Sequence, residues 1–481
     1  MKVTFLVPPP LDGKPAAERI FGCNYGIYTQ HNIFILYPAT VLKEKGHDVR
    51  VKDCPIEKIN KEEFIRYIEK DVSDVYVFYT VFLSKSTDLA ARNMINKINS
   101  NSKFIFMGTE PTCNPSEFMS ADSFAIRGEP EDTIEELVRV IASGGDLSAV
   151  RGISYDKDGE TVNNERRELI DNLDVLPFPD RKFLKSANYH NPKLRITPFT
   201  TMISSRGCAY SCYYCVPNSL DFAREIEFKR HDPMGKKPPV RMRSAKNIID
   251  EIRMLHKQGF RSISFLDDQF VWNSKRIIEI CNGIKDFNLE WSCLARADHL
   301  ENESMVKAMA EAGCKYIDIG VESFDQEILN YIKKELKVES VYRAVGLLKK
   351  YGIEPELNIL IGSCPLETKD TIEHTIAESM KLDVDYVLFS ICAPFPHTTF
   401  SEIAKKSNWM VTKDYVPIDP IRQSLISYPH LTKDDMEKII RKAYLKFYFR
   451  PSYILKRLRK VRGLRDFLNK FKTAMTILKK Q

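Results

Sequence analysis

The chain has 481 residues, of which 43% are hydrophobic and 28% charged, and its formal net charge is +7. This is ordinary globular composition, and the length suffices for two or three domains with sizeable cores. The apolar run at the N-terminus is too short for a secretory signal, and the odd count of eleven cysteines favours a reducing cytoplasm. No segment has the roughly 18 consecutive apolar residues of a spanning helix, which excludes an integral membrane protein.

Residues 1 to about 150 alternate between strand and helix patterns. Strands are predicted at 3–7, 49–51, 75–81, 104–107 and 124–126. Helices are predicted between and after them, at 34–45, 61–70, 89–98 and 131–142. Five strands that alternate with helices predict an α/β domain with a doubly wound, Rossmann-like parallel sheet.

Sheets of this kind bind ligands at the carboxyl ends of their strands. Here those ends carry Thr80, then Gly108 and Thr109, then Gly128 and Glu129. These residues are therefore the candidate ligand contacts of the N-terminal domain.

Residues 146–195 form a predicted connector with short strand pieces at 150–155 and 168–176. Pro177 and Pro179 make a rigid entry into the following domain. We predict four regions, with boundaries at 1–145, 146–195, 196–400 and 401–481.

A loop with three cysteines follows a short predicted strand at 200–203. Cys208, Cys212 and Cys215 stand in a Cys-x3-Cys-x2-Cys spacing that is too tight for the thiols to pair with one another. A structural zinc site would need a fourth ligand, and His231 lies in a basic, Pro-rich segment without a second ligand beside it. Three cysteines on a cubane iron-sulfur cluster would leave one iron open to an external ligand. The alternative is three unrelated buried cysteines.

With Tyr214 directly before the last cysteine, this loop resembles that of the radical S-adenosylmethionine superfamily. The resemblance implies a 4Fe-4S cluster on Cys208, Cys212 and Cys215, with S-adenosylmethionine bound at the open iron. Reductive cleavage would then give a 5'-deoxyadenosyl radical that abstracts hydrogen from substrate. It also implies an external reductant such as flavodoxin or ferredoxin, and a partial (β/α)6 TIM-like barrel over residues 196–400.

Five further strands are predicted in that region, at 262–266, 290–294, 316–319, 356–361 and 386–391. Polar residues follow several of them, on the barrel face where catalytic residues collect. By the resemblance, Asp267 and Asp268 would receive the methionyl ammonium. Arg296 and Glu322 would reach the methionyl carboxylate and the ribose or ammonium, and Tyr214 would support the adenine. For each residue alone, the alternative is a surface charge or a loop cap.

The loop after the fifth strand departs from the usual family pattern Ile-Gly-Leu-Pro-Gly-Glu-Thr. This chain has Ile-Gly-Ser-Cys-Pro-Leu-Glu-Thr at 361–368. Cys364 and Cys392 could face the active site as hydrogen donors or ligands, whereas a lone cysteine is more often a small core residue.

The N-terminal sheet resembles the cobalamin-binding domain that precedes one large radical S-adenosylmethionine subgroup. The resemblance implies that cobalamin contacts Gly108, Thr109, Gly128 and Glu129. The chain lacks the cobalt-ligating motif Asp-x-His-x-x-Gly, which radical members of the group commonly lack too. The alternative is a Rossmann-like domain that binds nothing.

The C-terminal region from about residue 401 is predicted to be helical and ends in a basic tail. Residues 438–481 hold nine Lys and six Arg against the single acid Asp466, a net +14 that leaves −7 for the rest of the chain. Apolar residues from 455 to 478 recur at helical spacing, and aromatics precede them, which predicts an amphipathic helix at an anionic bilayer surface. The alternatives are a helix packed on the domain with a solvated basic face, and RNA binding, which we do not favour. We expect a cytoplasmic protein, peripheral at the inner face of the membrane.

Together these features predict a cobalamin-dependent radical S-adenosylmethionine enzyme that methylates an unactivated carbon of a lipid-like or tetrapyrrole substrate. The alternatives are a radical cyclase or oxidative tetrapyrrole enzyme, and a non-catalytic cobalamin or cluster sensor. A tRNA methylthiotransferase would place a second cluster on three N-terminal cysteines, here Cys23, Cys54 and Cys113, but would end in a β-barrel.

Overall fold

The computed structural model describes residues 1–11, 13, 16–21, 30–185, 189–231, 237–412 and 423–459. The chain divides into two compact units. The first comprises Met1–Ala209, Val216–Ala295 and Asn302–Tyr316, and the second Tyr210–Cys215, Arg296–Glu301 and Ile317–Gln481. Among the described helices, none is both long enough and apolar enough to span a bilayer.

The first unit contains a seven-stranded sheet, in the order β2-β1-β3-β4-β5-β6-β7. Its first five strands are parallel and the last two are antiparallel. The strands are β1 (Lys2–Val7), β2 (Asp48–Asp53), β3 (Val75–Tyr79), β4 (Lys103–Met107), β5 (Ser123–Ile126), β6 (Ile153–Lys157) and β7 (Glu160–Asn163). The helices that connect the parallel strands and follow the last of them are α1 (Ile33–Glu44), α2 (Lys61–Lys70), α3 (Lys85–Ile98), α4 (Thr109–Cys113) and α5 (Glu131–Ser143).

Alternate side chains of the central strand β3 enter two separate cores. Val77 and Tyr79 pack with residues of α1 and α5, whereas Tyr76 and Phe78 pack with residues of α2 and α3. The strand is buried on both faces, as expected where helices cover both sides of a parallel sheet. The predicted doubly wound α/β architecture is therefore confirmed.

The segment predicted as a connector contributes to this sheet. Strands β6 and β7 extend it beyond β5, although the region boundaries themselves stay predictions. The strand piece predicted at 168–176 is wrong, because the backbone of Ile170 is hydrogen-bonded to side chains instead of to a strand. Its amide donates to the Glu129 carboxylate at 2.8 Å and its carbonyl accepts from Arg241.

The second sheet has six strands, as predicted. In the first unit, three of its strands pair in parallel: β8 (Phe199–Met202), β11 (Ser262–Phe265) and β12 (Glu290–Ala295). A separate two-stranded sheet is formed by β9 (Ser205–Arg206), which pairs antiparallel with β10 (Arg241–Met242). In the second unit, β14 (Glu354–Ile361) and β15 (Tyr386–Ile391) pair in parallel. The remaining strand, β13 (Cys314–Glu322), begins in the first unit and ends in the second.

Helices follow these strands in the order expected for a barrel of strand and helix repeats. In the first unit they are α6 (Ser219–His231), α7 (Ala245–Lys257), α8 (Ser274–Ile284) and α9 (Glu303–Glu311). In the second they are α10 (Gln326–Tyr331), α11 (Val338–Lys350), α12 (Lys369–Lys381), α13 (Thr399–Lys406), α14 (Lys433–Tyr448) and α15 (Pro451–Arg459).

Helix α6 was not predicted from the sequence. Its buried positions include polar residues such as Asp221, Arg224, Glu225 and Glu227, so the apolar periodicity that marks a helix is absent. His231, considered as a zinc ligand, ends this helix and lies 3.4 Å from the Glu227 carboxylate.

The aromatic residues of the C-terminal helices pack on the second unit. The hydroxyl groups of Tyr444 and Tyr448 donate to backbone carbonyls of β15 at 2.9 and 2.8 Å, and that of Tyr453 donates to the Asp385 carbonyl at 3.0 Å. The hydroxyl groups of these tyrosines are therefore bound within the protein, whereas the membrane contact predicted for the basic tail stays a prediction. Nearly all of the predicted basic helix, residues 460–481, lies outside the described residues.

The packing of the first unit can be tested at two glycines with similar backbone conformations. Gly313 has φ +91°, and a Cβ there would overlap the Leu289 carbonyl oxygen, whereas Gly259 has φ +96° and open space around it. We expect Gly259→Ala to lower the free energy of unfolding by about 1–2 kcal/mol through backbone strain alone. Gly313→Ala should cost a further 1–3 kcal/mol or so through overpacking. Chemical unfolding of both variants measures the difference, and equal losses would contradict the packing at Gly313.

Candidate active site

The cysteine loop begins at a glycine that the fold requires. Gly207 has φ +93°, and a Cβ there would lie 2.7 Å from Nη1 of Arg224, which is fully buried. Just before it, Arg206 pairs with Arg241 in the ladder of β9 and β10. The left-handed glycine turns the chain out of β9 directly into Cys208.

The second part of the loop, Tyr210–Cys215, is held within the second unit. The Tyr213 amide donates to the Ile332 carbonyl at 3.2 Å, and its carbonyl accepts from Phe400 at 2.9 Å. The Tyr213 hydroxyl donates to the Ser363 carbonyl. Backbone and side chain of Tyr213 therefore fix the loop between its second and third cysteines.

Cys208, Cys212 and Cys215 are each half-buried, and none of the ten described cysteines forms a disulfide. In the described ranges, no three His, Cys, Asp or Glu side chains are arranged to hold one metal ion. The thiolates of a cubane cluster bind different irons, so its ligands need not converge on one point. Cys364 and Cys392 are fully buried, and burial raises the pKa of the Cys364 thiol to about 12.

Glu322 ends strand β13 and lies at the centre of a buried polar group in the second unit. Its Oε1 accepts from Nζ of Lys334 at 2.7 Å, and its side chain hydrogen-bonds the hydroxyl of Tyr214. Burial, and next the negative charge of Glu322, raise the pKa of the Tyr214 hydroxyl well above its usual range. Tyr214 and Glu322, predicted separately, are thus brought together.

Arg296 is engaged by its own surroundings in the second unit. Its guanidinium lies 3.5 Å from the centre of the Tyr210 ring. It donates to the carbonyls of Lys334 and Glu335, each at 2.8 Å, and forms an ion pair with Asp298 at 3.0 Å. These contacts orient the guanidinium and anchor the turn that carries Lys334.

Asp267 and Asp268, predicted as one pair, have different environments in the first unit. Asp267 is fully buried and accepts hydrogen bonds from the amide and hydroxyl of Ser204 and from the hydroxyl of Ser205, at 2.5–3.0 Å. These bonds anchor the residues that lead into the cysteine loop. Asp267 is therefore satisfied by protein donors.

Asp268, in contrast, keeps an unused oxygen. Its Oδ1 accepts from the Asn218 amide at 2.6 Å, but its buried Oδ2 has no hydrogen-bond partner in the protein. Burial and the adjacent Asp221 carboxylate raise the pKa of Asp268 well above its usual value. A buried carboxylate beside a second one is a favourable site for a cationic group.

At the carboxyl end of β4, Gly108 and Thr109 start a short helix under the sheet edge. Gly108 has φ +109°, and a Cβ there would lie 2.7 Å from the Thr80 carbonyl oxygen, so glycine is required. The Thr109 hydroxyl is buried without a hydrogen-bond partner in the protein. A shallow cleft lies at the same edge of the sheet and is lined by Val7, Pro8, Pro10, Ala16, Ala17, Arg19, Pro55, Leu83, Ser84 and Thr87.

At the end of β5, Gly128 and Glu129 meet helix α6. Gly128 has φ +76°, donates its amide to the Thr112 hydroxyl at 3.1 Å, and lies close enough that a Cβ would contact Glu227 at 3.5 Å. Both Glu129 oxygens are used by the protein, because Oε2 accepts from Ile170 and Oε1 faces arginines. Glu129 is therefore bound within the protein at a position where a cobalamin contact was expected.

Glu129 is the centre of what we call the arginine network. Its carboxylate lies 2.7 Å from Arg241, 3.2 Å from Arg206 and 3.6 Å from Arg224, and Arg206 also pairs with Glu131 at 2.6 Å. All five side chains are buried. Burial alone would raise the pKa of Glu129, but the guanidinium groups, Arg206 foremost, hold it below the usual value.

Sequence reasoning missed Lys334, Asp221 and the arginine network. Lys334 stands in the run Lys-Lys-Glu, which is typical of an exposed turn, and Asp221 belongs to the helix that was not predicted. Neither residue carries a spacing signal that could have revealed its burial.

Glu129→Gln should lower the free energy of unfolding by about 3–5 kcal/mol, because it leaves buried guanidinium groups without their shared anion. The matched control is Glu165→Gln, since the Glu165 side chain is 80% exposed and pairs with Arg151 at 3.4 Å. The control should change stability by less than about 0.5 kcal/mol. Urea unfolding of both variants measures the effect, and similar small losses would contradict a stabilising role for the network.

Two protein-family models match parts of the chain. The family model described as radical SAM superfamily matches residues 202–378, and the model described as B12 binding domain matches residues 27–138. An uncharacterized methyltransferase of Pyrococcus horikoshii is 31% identical over 465 residues, which cover 95% of this chain and 94% of that protein.

A more distant relative is the anaerobic magnesium-protoporphyrin IX monomethyl ester cyclase of Rubrivivax gelatinosus. It is 28% identical over 311 residues, and the match covers 62% of this chain but only 52% of the cyclase. Among solved structures, the cobalamin-dependent S-adenosylmethionine radical enzyme OxsB, with aqua-cobalamin and S-adenosylmethionine bound, aligns with a TM-score of 0.72. That alignment covers 99% of this chain and 70% of OxsB at 17% identity, a likeness of fold.

Proposed function

Because the chain belongs to the radical S-adenosylmethionine superfamily and carries a B12-binding domain, we propose that it is a cobalamin-dependent radical C-methyltransferase. Its cofactors are a 4Fe-4S cluster, S-adenosylmethionine and cobalamin. The observation that carries the proposal is the Cys-x3-Cys-x2-Cys loop, which lies inside the region that the radical family model matches. We assign the cluster thiolates to Cys208, Cys212 and Cys215.

When bound, the cluster and S-adenosylmethionine supply a radical that removes hydrogen from an unactivated carbon, and cobalamin supplies the methyl group. The protein's part is to bind these groups, orient them and exclude water. Buried polar residues at the strand ends are suited to that role, since fixed charges act strongly where water is absent.

Asp268 fits the methionyl ammonium of S-adenosylmethionine. Its buried Oδ2 has no partner in the protein, and a cation there would also relieve the repulsion from Asp221. In the second unit, Glu322 and Tyr214 form a hydrogen-bonded pair suited to the ribose and adenine. Arg296 serves the methionyl carboxylate or, through its bonds to the Lys334 and Glu335 carbonyls, orients the adjacent turn.

Cobalamin fits the edge of the first sheet where Gly108, Thr109 and Gly128 lie. The buried Thr109 hydroxyl offers a hydrogen bond to an amide group of the corrin, and the cleft at this edge has both apolar and polar walls. Both oxygens of Glu129 are bound to protein groups. We therefore assign Glu129 a structural role next to this site, through the arginine network, in place of a direct contact with cobalamin.

Iron and corrinoid contents test the assignment directly. Anaerobically reconstituted protein, expressed with cobalamin available, should hold about four irons and one corrinoid per chain. Cys212→Ala should lose most of the iron, whereas Cys281→Ala, a buried cysteine in α8, should keep it.

The products separate the remaining alternatives. A methyltransferase moves labelled methyl from S-adenosylmethionine to its substrate, whereas a cyclase does not consume that methyl group. Cofactor binding without release of deoxyadenosine would indicate a sensor. Two clusters with no corrinoid would overturn the proposal in favour of a methylthiotransferase, of whose three N-terminal cysteines Cys54 and Cys113 are buried and Cys23 lies outside the described residues.

Asp268→Asn should weaken S-adenosylmethionine binding about tenfold or more, because the charged partner of the ammonium is lost. Asp267→Asn is the matched control. Asp267 binds Ser204 and Ser205, so its substitution should lower stability more than affinity. Calorimetric titration of cluster-loaded protein and thermal unfolding separate the two effects. Equal affinities of Asp268→Asn and the unsubstituted protein would remove Asp268 from the site.

The substrate class is proposed from the relatives and from the basic tail. One relative is a cyclase of a magnesium-protoporphyrin ester, which favours a tetrapyrrole or another large apolar substrate. In α15, Lys456 and Arg457 form ion pairs with Asp385 at 2.9 and 3.1 Å, while Ile454 and Leu455 are 41% and 51% exposed. We therefore propose that residues 460–481 supply peripheral binding to an anionic membrane surface of a cytoplasmic protein.

Removal of residues 460–481 should abolish sedimentation with vesicles that contain anionic lipid, since each basic residue near such a surface contributes about 1 kcal/mol. The truncation leaves α14 and its bonds to β15 intact. Vesicles of neutral lipid are the control. Undiminished binding of the truncated protein to anionic vesicles would disprove a membrane role for the tail.

A further inference from the structure

Lys334 is a buried lysine to which the reaction outlined above assigns no role. Its side chain is 8% exposed and forms an ion pair with Glu322, which is 9% exposed, at 2.7 Å. Taking a lysine out of water is costly unless a paired charge compensates, so the protein spends stability to hold this ammonium here. The exposed neighbour Lys333 shows that the same turn could have presented a lysine to solvent.

The ion pair of Lys334 and Glu322 lies against a glycine of strand β13. A Cβ at Gly320 would lie 2.8 Å from both Nζ of Lys334 and Oε1 of Glu322. The ion pair therefore packs directly over the glycine of strand β13. Any side chain at position 320 would push the two charges out of this arrangement.

The turn that carries Lys334 is also the support of the cysteine loop. The carbonyl of Ile332 accepts from the Tyr213 amide, and the Tyr213 and Tyr331 rings meet at 6.0 Å. Arg296 donates hydrogen bonds to the carbonyls of Lys334 and Glu335, and its guanidinium also stacks on Tyr210 of the cysteine loop. The residues on both sides of Lys334 have left-handed backbone conformations, with φ 53° at Lys333 and φ 51° at Glu335.

From this geometry we infer that Lys334 is a positioning residue for S-adenosylmethionine. Its ammonium occupies one oxygen of Glu322 and holds the carboxylate in place, so that the Glu322 side chain is presented to Tyr214 and to the bound ligand. This inference rests on the proposed function, because it assumes that S-adenosylmethionine binds beside Glu322. According to this inference, binding of S-adenosylmethionine requires the Lys334 ammonium beside Glu322 as well as the cluster.

Four variants of the full-length, cluster-loaded protein test the inference. Lys334→Met removes the charge, Lys334→Arg retains it, and Lys333→Met removes an exposed lysine of the same turn. Gly320→Ala keeps both charged residues but displaces the pair, which covers the case in which Lys334→Met fails to fold. The readouts are iron content, the dissociation constant for S-adenosylmethionine, and the change that this ligand induces in the electron paramagnetic resonance spectrum of the reduced cluster.

We expect Lys334→Met and Gly320→Ala to keep their iron but to bind S-adenosylmethionine about tenfold or more weakly, with the ligand-induced spectral change reduced. Lys334→Arg should recover part of the affinity, and Lys333→Met should match the unsubstituted protein. Affinity within twofold of normal in both Lys334→Met and Gly320→Ala would overturn the inference. Failure of the unsubstituted protein to hold a cluster or bind S-adenosylmethionine would instead overturn the proposed function, so the two failures are distinguishable.

Discussion

The approach of three segments in the first unit depends on one buried carboxylate, that of Glu129. It lies among three guanidinium groups which come from the strand before the cysteine loop, from α6 and from β10. A buried charge is tolerated only when it is paired, so these segments have to meet at one point. Gly207 is a consequence of that meeting, because the Arg224 guanidinium occupies the space that a side chain would need.

The two cofactor regions use buried polarity in different ways. At the edge of the first sheet, the charged groups of the arginine network pair with one another, and the buried Thr109 hydroxyl has no hydrogen-bond partner in the protein. Near the cysteine loop, carboxylates retain capacity for a ligand, as Asp268 does in the first unit. The proposed ligands differ in the same sense, since a corrin offers a broad surface and S-adenosylmethionine carries charges.

Much of the fold could be predicted because many strands of both sheets are short apolar runs, although β2 (Asp48–Asp53) and β7 (Glu160–Asn163) are mainly polar. Strand β3, buried on both faces, and helix α2, capped by Asn60 and Glu63, illustrate signals that are local in the sequence. The cysteine loop was equally local. Helix α6 could not be predicted because its buried face is polar, and its stability comes from partners distant in the chain.

In the candidate site, too, the identity of some residues could be predicted from the sequence, whereas their contacts with distant residues could not. Tyr214 and Glu322 were named from matched positions, and the structure adds that they are hydrogen-bonded to each other. The different environments of Asp267 and Asp268 depend on which donors surround each carboxylate, which no spacing reveals. The same holds for Lys334, since burial of a lysine in a charged turn is decided by Gly320 and Glu322 on another element.

The arginine network has a consequence for the order in which the chain can fold during synthesis. Arg241 follows Glu129 by 112 residues, and β6 and β7 complete the first sheet only after α5 has been made. Until Arg241 leaves the ribosome, Glu129 lacks the guanidinium group that lies closest to it in the folded protein, at 2.7 Å. The edge of the first sheet therefore receives its last arginine only after the three cysteines of the loop have been synthesised.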